Sequence, residues 1–364
     1  MKTKLGLYIH IPFCKSKCYY CDFLSFVNSD LMEKYIDALI NELRSYNEYR
    51  PNYIFIGGGT PSVLPPFLLR KLLSEIEQNF GSEILEYTIE INPATLTQEH
   101  LKIINKSGIN RVSIGLQSTN NMLLKEIGRI HTLQDFENTL YSLSDIENIN
   151  IDLMFALPNQ TIKQWEQTLL TVTKYPIKHI SAYALTLEEG TKLFEKYNGK
   201  SIATAETDRQ MYDLTKQILS QYNYSQYEIS NWAQLGYQCN HNILYWTLQP
   251  YIGAGLGASG YLENIRYTNT TDIYQYISGK YKKEENYITT QMSMEEFMFL
   301  GLRMMSGVSK NEFKQKFGVD IKNIYGEQIK KWITLAAMIE VADRIYLSEY
   351  GVNISNTIFT SFLE

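Results

Sequence analysis

Along the first half of the chain, short apolar runs take turns with segments whose apolar residues recur at helical spacing. Residues 5–11 alternate around Tyr8 and His10 and predict a strand. Residues 31–43 place Met32, Tyr35, Ile36, Leu39, Ile40 and Leu43 on one helical face. Residues 53–56 form a short apolar run that ends in Gly57-Gly58-Gly59, and Pro65-Pro66 then open a second helix through Phe80. Further strands are predicted at 87–91, 111–116, 149–157 and 179–185. Between them lie helices ending near Lys106, at 121–128, at 133–144 and around Trp165. Six strands separated by helices imply parallel βαβ units with right-handed crossovers. An open doubly wound sheet and a curved, barrel-like one both fit this pattern, and both put ligands at the carboxyl ends of their strands. The conspicuous residues fall there: cysteines after the first strand, glycines after the second, Asn92-Pro93 after the third and Gln117-Ser118 after the fourth.

Beyond these units the pattern predicts a helix at 206–221, a strand at 227–230 and an irregular stretch, rich in glycine and aromatics, at 231–260. Its Gly253-Ala254-Gly255-Leu256-Gly257 run lacks the Gly-Lys-Ser/Thr ending of a phosphate loop and reads as a close-packed turn lining a cavity. From about Met292 come short helices, a hairpin near 344–350 and a last helix. The expected division is a core at 1–230, a connecting segment at 231–290 and a small helical, winged-helix-like module at 291–364.

Composition adds one strong signal. Of four cysteines in 364 residues, Cys14, Cys18 and Cys21 fall within eight positions and Cys239 stands alone. That excludes a disulfide scaffold and asks for a metal. With 44% hydrophobic and 20% charged residues the chain is globular, and a net charge of −5 argues against nucleic acid as a partner. No window approaches the ~18 apolar residues of a membrane span. The start, Met1-Lys2-Thr3-Lys4, shows no apolar leader or cleavage site, so the expected compartment is the cytoplasm, where thiols stay reduced. Three thiolates at Cys-x3-Cys-x2-Cys spacing can wrap one metal centre. A zinc site needs a fourth ligand, for which His10 is a candidate. An iron–sulfur cube normally takes four thiolates, so with three one iron stays open to another ligand.

The cysteine spacing, with Tyr20 just before the third Cys, resembles the radical S-adenosylmethionine superfamily. Tyr8-Ile9-His10-Ile11-Pro12-Phe13-Cys14, Gly57-Gly58-Gly59-Thr60-Pro61-Ser62, Glu90-Ile91-Asn92-Pro93, the 111–118 segment, Gly128-Arg129-Ile130-His131 and the 152–158 segment narrow the resemblance to its coproporphyrinogen III oxidase-like family. Leu300-Gly301-Leu302-Arg303 and Phe313 extend it into the last module, so it covers nearly the whole chain. It implies a partial (β/α)6 barrel. It also implies a 4Fe-4S cluster on Cys14, Cys18 and Cys21, with S-adenosylmethionine on the open iron as source of a 5′-deoxyadenosyl radical. Around that ligand it implies Gly58, Gly59 and Thr60 at the methionine end, Tyr8 nearby and Tyr20 against adenine. Glu90 and Asp152 would take ribose hydroxyls or the amino group, Arg129 the carboxylate and Gln117 polar edges. Singly, such residues are more often turn glycines and solvated strand-end charges; together they favour a site. Histidines 100 and 179 read as surface or structural.

Two features separate the oxidases from their relatives. The oxidases continue Cys-x-Cys beyond the third cysteine, where this chain has Asp22-Phe23, and they carry a longer segment before the cluster. His241-Asn242-Ile243-Leu244-Tyr245-Trp246 instead resembles the His-Asn-x-x-Tyr-Trp signature of HemW-type haem chaperones, as does the 227–233 segment before it. That resemblance implies haem as a cofactor, apo-haemoproteins such as respiratory enzymes as its receivers, and an electron donor. A homodimer and peripheral membrane contact are compatible with it. His241 and Tyr245 are the axial-ligand candidates with Cys239 as a third, and Trp232 and Trp246 are candidates to stack on the porphyrin. Oxygen-independent decarboxylation of coproporphyrinogen III is the first alternative. A non-catalytic zinc protein is the second.

Overall fold

The computed structural model describes residues 4–81 and 83–363; Met1-Lys2-Thr3, Ser82 and Glu364 lie outside, and the reading of the chain's start lies there with them. Strands β1 (Gly6–Ile11), β2 (Tyr53–Gly58), β3 (Glu86–Ile91), β4 (Arg111–Gln117), β5 (Asn148–Phe155) and β6 (His179–Ala184) pair in parallel in sequence order. Amphipathic helices join them: Met32–Arg44, Pro66–Phe80, Gln98–Ile104, Leu133–Ser142 and Ile162–Val172. Their apolar faces bury Tyr35, Ile36, Leu39, Leu69, Leu72, Phe136 and Trp165 against Leu7, Ile9, Ile54, Ile56, Ile89, Val112, Ile114, Ile151 and Leu153 of the strands. Each of these fully buried apolar side chains contributes roughly 1.5–3 kcal/mol, so this outer face of the sheet is where the core lies.

The sheet continues past both ends of this run. A helix, Ala205–Gln221, leads to β7 (Ser225–Glu228) and β8 (Asn231–Ala233), with β8 antiparallel to β6. Helix Asn240–Trp246 crosses back, and β9 (Tyr251–Ala254) lies parallel to β1. Strands β10 (Ser259–Leu262), β11 (Ile265–Asn269) and β12 (Lys282–Tyr287) follow antiparallel, completing a twelve-stranded sheet in the order β12-β11-β10-β9-β1-β2-β3-β4-β5-β6-β8-β7. The stretch expected to be irregular is therefore ordered. Its strands are three or four residues long, too short for a periodic signal, and their partners are far away in sequence. Gly255 (φ +107°) turns the chain where a Cβ would meet the His10 carbonyl at 2.6 Å. That turn is close-packed as expected, but it sits beside β1 and lines no part of the cavity described below.

A second core, made by Met298, Leu302, Phe313, Tyr325, Trp332, Ile345 and Phe362, belongs to the C-terminal part. There helices Thr290–Gly301, Lys310–Phe317 and Ile321–Thr334 pack on a small sheet containing the Met338–Val341 and Arg344–Leu347 hairpin. Arg303 joins this part to the barrel: it reaches the fully buried Glu228 carboxylate at 3.4 Å and lies over the Trp246 ring at 4.4 Å. No helix of the described residues is long and apolar enough to cross a membrane.

Candidate functional site

Every second residue of the parallel strands turns away from the helices, and most of these are polar. They are Tyr8 and His10 on β1, Thr88 and Glu90 on β3, Arg111, Ser113 and Gln117 on β4, Asn150 and Asp152 on β5, and His179, Ser181 and Tyr183 on β6. Residues from β2 to β6 line one cavity of about 350 Å³. It runs on, through shared walls at Phe23, Gly58, Glu90, Ser113, Asp152 and Asn242, into an inner chamber of about 240 Å³ that Tyr8 also lines. A sheet whose six strands surround one space is curved, which decides between the two architectures the sequence allowed.

Cys14, Cys18 and Cys21 all line the outer cavity. Among the described residues no three His, Cys, Asp or Glu side chains converge tightly enough to hold a single metal ion. Burial pushes the Cys21 thiol up to about 11 and raises Cys14 as well, with Thr60 and Ser25 pulling Cys14 back down.

The glycine turn docks this loop. Gly58 (φ +105°) leaves no room for a side chain, because a Cβ would run into the His10 ring. Its amide donates to Glu90 Oε2 at 3.1 Å. The Gly59 amide donates to the Ile11 carbonyl at 2.9 Å and the Thr60 amide to the Phe13 carbonyl at 2.8 Å. The Gly59 and Thr60 amides thus tie β2 to the residues just before Cys14, and Gly58, Gly59 and Thr60 all line the outer cavity. Thr60 Oγ1 lies 3.6 Å from Cys14 Sγ.

The charged residues meet opposite this loop. Arg129 donates from Nη2 to the Gly115 carbonyl and from Nη1 to Cys18 Sγ at 3.5 Å, while its buried Nε has no protein partner. Burial opposes its charge, but Tyr20 and Cys18 more than offset this and leave it above the ordinary value. Gln117 follows a bulge in β4 and takes a left-handed conformation (φ 68°), rare for a residue with a side chain. Its Oε1 is buried without a partner, as is Asn231 Oδ1 on the cavity wall. Burial pushes the Glu90 carboxyl up to about 8; the Asp152 charge adds to this and the Gly58 amide opposes it. Burial also raises Asp152, against the hydrogen bonds from Asn150 and Ser113. The cavity thus offers three thiols, one guanidinium, two carboxyls whose charge is opposed by burial, and buried polar atoms awaiting partners.

The remaining sequence candidates fall in several places. Tyr20 lines the outer cavity and packs toward Leu123, Ile127 and Leu157. Tyr8 bonds His10 Nδ1 at 2.9 Å, and His10 Nε2 bonds the Leu24 carbonyl at 2.9 Å. Both His10 nitrogens are therefore engaged, which removes it as a fourth zinc ligand. His100 and His179 are buried structural residues, with none of the surface character allowed for them. His241 is 1% exposed and lines the inner chamber between Phe55 and Tyr245, with ring centroids 5.3 Å away on each side. Its Nε2 has no partner, and burial drives its pKa down to about 3. Tyr245 lines the same chamber. Cys239 lines neither space; its Sγ contacts Glu86 Oε1 at 3.6 Å behind the helix start. Trp232 is 1% exposed in the core and Arg303 lies over one face of the Trp246 ring; neither tryptophan lines the outer cavity or the inner chamber. The sequence reading put these aromatics together because it could not tell which side of a short helix or strand faces in.

That reading also missed Ser113, Asn150, Ser181, Tyr183, Asn231 and Asn242. The first four carried a signal, since Arg-Val-Ser-Ile, Asn-Ile-Asn-Ile-Asp and His-Ile-Ser-Ala-Tyr alternate polar with apolar. A parallel sheet buried under helices on both faces reads as continuous apolar runs, so alternation here marks an inner face that serves a site.

Comparison with known proteins matches the same features. The Radical SAM superfamily model matches residues 8–172, and the HemN C-terminal domain model residues 288–352. The chain is 37% identical to Heme chaperone HemW of Lactococcus lactis subsp. lactis, over 98% of this chain and 96% of that one. It is 35% identical to Heme chaperone HemW of Bacillus subtilis, over 98% of each, and 32% identical to that of Escherichia coli, over 99% and 98%. Among solved structures, coproporphyrinogen III oxidase (HemN) from Escherichia coli superposes with a TM-score of 0.86 over 99% of this chain and 90% of that one, at 19% identity.

Proposed function

The chain belongs to the radical SAM superfamily and, within it, to the family of the HemW haem chaperones; from that premise we propose that it binds a 4Fe-4S cluster, S-adenosylmethionine and haem, and delivers haem to apo-haemoproteins. One observation carries the reading: the three thiols share a cavity with Arg129, Gln117, Glu90 and Asp152 at the carboxyl ends of the strands. Among the described residues the cavity brings three thiols together with no histidine and no fourth cysteine, a donor set that suits a cluster with one open iron better than a closed zinc site.

Cys14, Cys18 and Cys21 would hold the cluster, which when bound supplies an open iron and an electron. Arg129, with an unpartnered Nε beside Cys18, would neutralise the ligand carboxylate. The Gln117 Oε1 would accept from a polar edge, and Tyr20 would cover the adenine. Glu90 and Asp152 would meet the cationic and hydroxyl groups. At neutral pH Glu90, at about 8, is mostly protonated before ligand arrives. A cation placed beside it favours the carboxylate, so binding releases a proton. Calorimetry of S-adenosylmethionine binding near pH 7, in buffers of different ionisation enthalpy, is expected to show release of close to one proton, and close to none in Glu90→Gln. Equal release in both would remove Glu90 from the ligand shell.

Haem and its transfer are read from the family. His241 and Tyr245 line the inner chamber, so ligation by either requires the porphyrin iron to reach that chamber. Haemin titrated into His241→Ala is expected to lose the absorption signature seen with the unmodified protein; identical spectra and affinity would remove His241 as a ligand. The oxidase alternative is disfavoured by Phe23, which stands at the cavity mouth, 60% exposed, where the oxidases have a cysteine. Coproporphyrinogen III decarboxylation at turnover rates by the reconstituted protein would overturn the chaperone reading.

A further inference from the structure

The Asp152 carboxylate is held by Ser113 and Asn150 on the cavity wall, and Asn150 in turn by side chains that lie behind that wall. Asp152 Oδ1 accepts from Asn150 Nδ2 at 2.9 Å and its Oδ2 from Ser113 Oγ at 3.0 Å. Asn150 Nδ2 also donates to Ser113 Oγ at 2.7 Å. A carboxylate only accepts, so Asn150 must turn its NH2 toward Asp152 and its oxygen the other way. That oxygen lies 2.6 Å from His179 Nδ1, which must therefore carry the ring proton. His179 Nε2 is then a lone pair and accepts from the Tyr227 hydroxyl at 2.8 Å. The Tyr227 oxygen in turn accepts from the Cys239 amide at 3.3 Å. The bonds that link the Cys239 amide, Tyr227, His179 and Asn150 all donate in the direction of Asp152, an arrangement in which each bond polarises the next, and Ser181 Oγ adds a longer bond to the Asn150 oxygen at 3.3 Å. His179 is fully buried, and burial together with the Arg111 charge keeps it neutral, as its acceptor role demands. His179 and Tyr227 line neither part of the cavity.

We propose that His179, braced by Tyr227, is a positioning residue: it fixes the Asn150 amide so that Asp152 presents its remaining lone pairs to an ammonium or hydroxyl donor of S-adenosylmethionine. This rests on the reading that the cavity takes that ligand. The chain does more than fill the barrel, because it ends on a carboxylate that itself lines both the outer cavity and the inner chamber. It also begins at the residue preceding the helix that carries His241 and Asn242.

The test uses the anaerobically reconstituted holoprotein and labelled S-adenosylmethionine in equilibrium dialysis, with iron content as a control. His179→Leu removes both hydrogen bonds and is expected to weaken binding about tenfold, the scale of hydrogen bonding to a charged group. Tyr227→Phe removes only the hydroxyl and is expected to weaken it about threefold. His179→Gln keeps a donor for Asn150 and an acceptor for Tyr227, and is expected to recover most of the loss. A pH profile adds a readout that a merely structural role would not move. Asn150 pulls the Asp152 pKa down, so loosening it raises that pKa, and affinity in His179→Leu should fail at higher pH than in the parent. The other titratable groups facing Asp152 are Glu90, Arg111 and Tyr183. Of these only Glu90 is a second carboxyl, so the profiles are compared in a Glu90→Gln background. If both His179→Leu and Tyr227→Phe keep parental affinity and pH profile, the positioning role is overturned. If His179→Leu loses iron, Tyr227→Phe decides. Failure of the parent itself to bind S-adenosylmethionine would overturn the ligand reading instead, and this inference with it.

Discussion

Replacing any one of Cys14, Cys18 and Cys21 with alanine is expected to abolish the iron–sulfur absorbance after anaerobic reconstitution, while Cys239→Ala leaves it intact. The first three thiols line the same cavity. A cube already lacking its fourth protein thiolate has none to spare, so losing a third leaves too few ligands to hold it. Iron and sulfide are expected to fall from about four per chain to near zero. Cys239 is buried against Glu86, lines neither the outer cavity nor the inner chamber, and is the same residue type. Its replacement deletes a small buried group and should cost about 1 kcal/mol, with full iron. A colourless parent protein holding zinc would sink the cluster assignment. Iron retained in Cys14→Ala would do the same for this ligand set.

How much of this was legible before the fold was known depends on how local each signal was. Strands β1 to β6 and their helices were readable because their outer faces, such as Leu7-Ile9-Ile11 and Val112-Ile114-Leu116, bury against amphipathic helices, and that pairing imposes a period on the sequence. Cluster and charge candidates were readable because parallel strands all end at the same side of the sheet, so residues like Glu90, Gln117 and Asp152 share a face. What stayed hidden depended on distant partners. β9 pairs with β1 across more than 200 positions, and nothing in Tyr251–Ala254 announces that neighbour. The His-Asn-x-x-Tyr-Trp run gave the residue types but not their directions. Its His241 faces inward, whereas its Trp246 is spent on Arg303. The glycine turn was legible as a close approach of backbone, but its amide bonds to Ile11 and Phe13, ahead of Cys14, were not, because those partners lie more than 40 positions away in sequence.

That docking makes Gly59→Ala the sharpest change available outside the thiols themselves. A Cβ on Gly59 would lie 2.6 Å from the Phe13 carbonyl oxygen, 2.8 Å from that of Ile11 and 2.9 Å from the Phe13 nitrogen. All three are backbone atoms and none can swing aside, so β2 and the 11–13 segment must part. Parting them breaks the Gly59 and Thr60 amide bonds to Ile11 and Phe13 and moves Cys14 relative to Cys18 and Cys21. The expected cost in unfolding free energy is about 3 kcal/mol, the upper end for overpacking. The expected cluster content is less than half that of the parent, although no thiol has been touched. Gly190→Ala is the control. Gly190, unlike Gly59, is left-handed (φ +81°), but a Cβ there meets nothing within 4 Å. Alanine at 190 therefore carries only the conformational penalty, about 1 kcal/mol, and should keep its full complement of iron. Chemical denaturation and iron analysis of the two variants separate the explanations. If Gly59→Ala matches the parent in both, the turn does not hold the cysteine loop. If the two variants lose stability and iron alike, the iron loss follows general destabilisation rather than steric docking at Gly59.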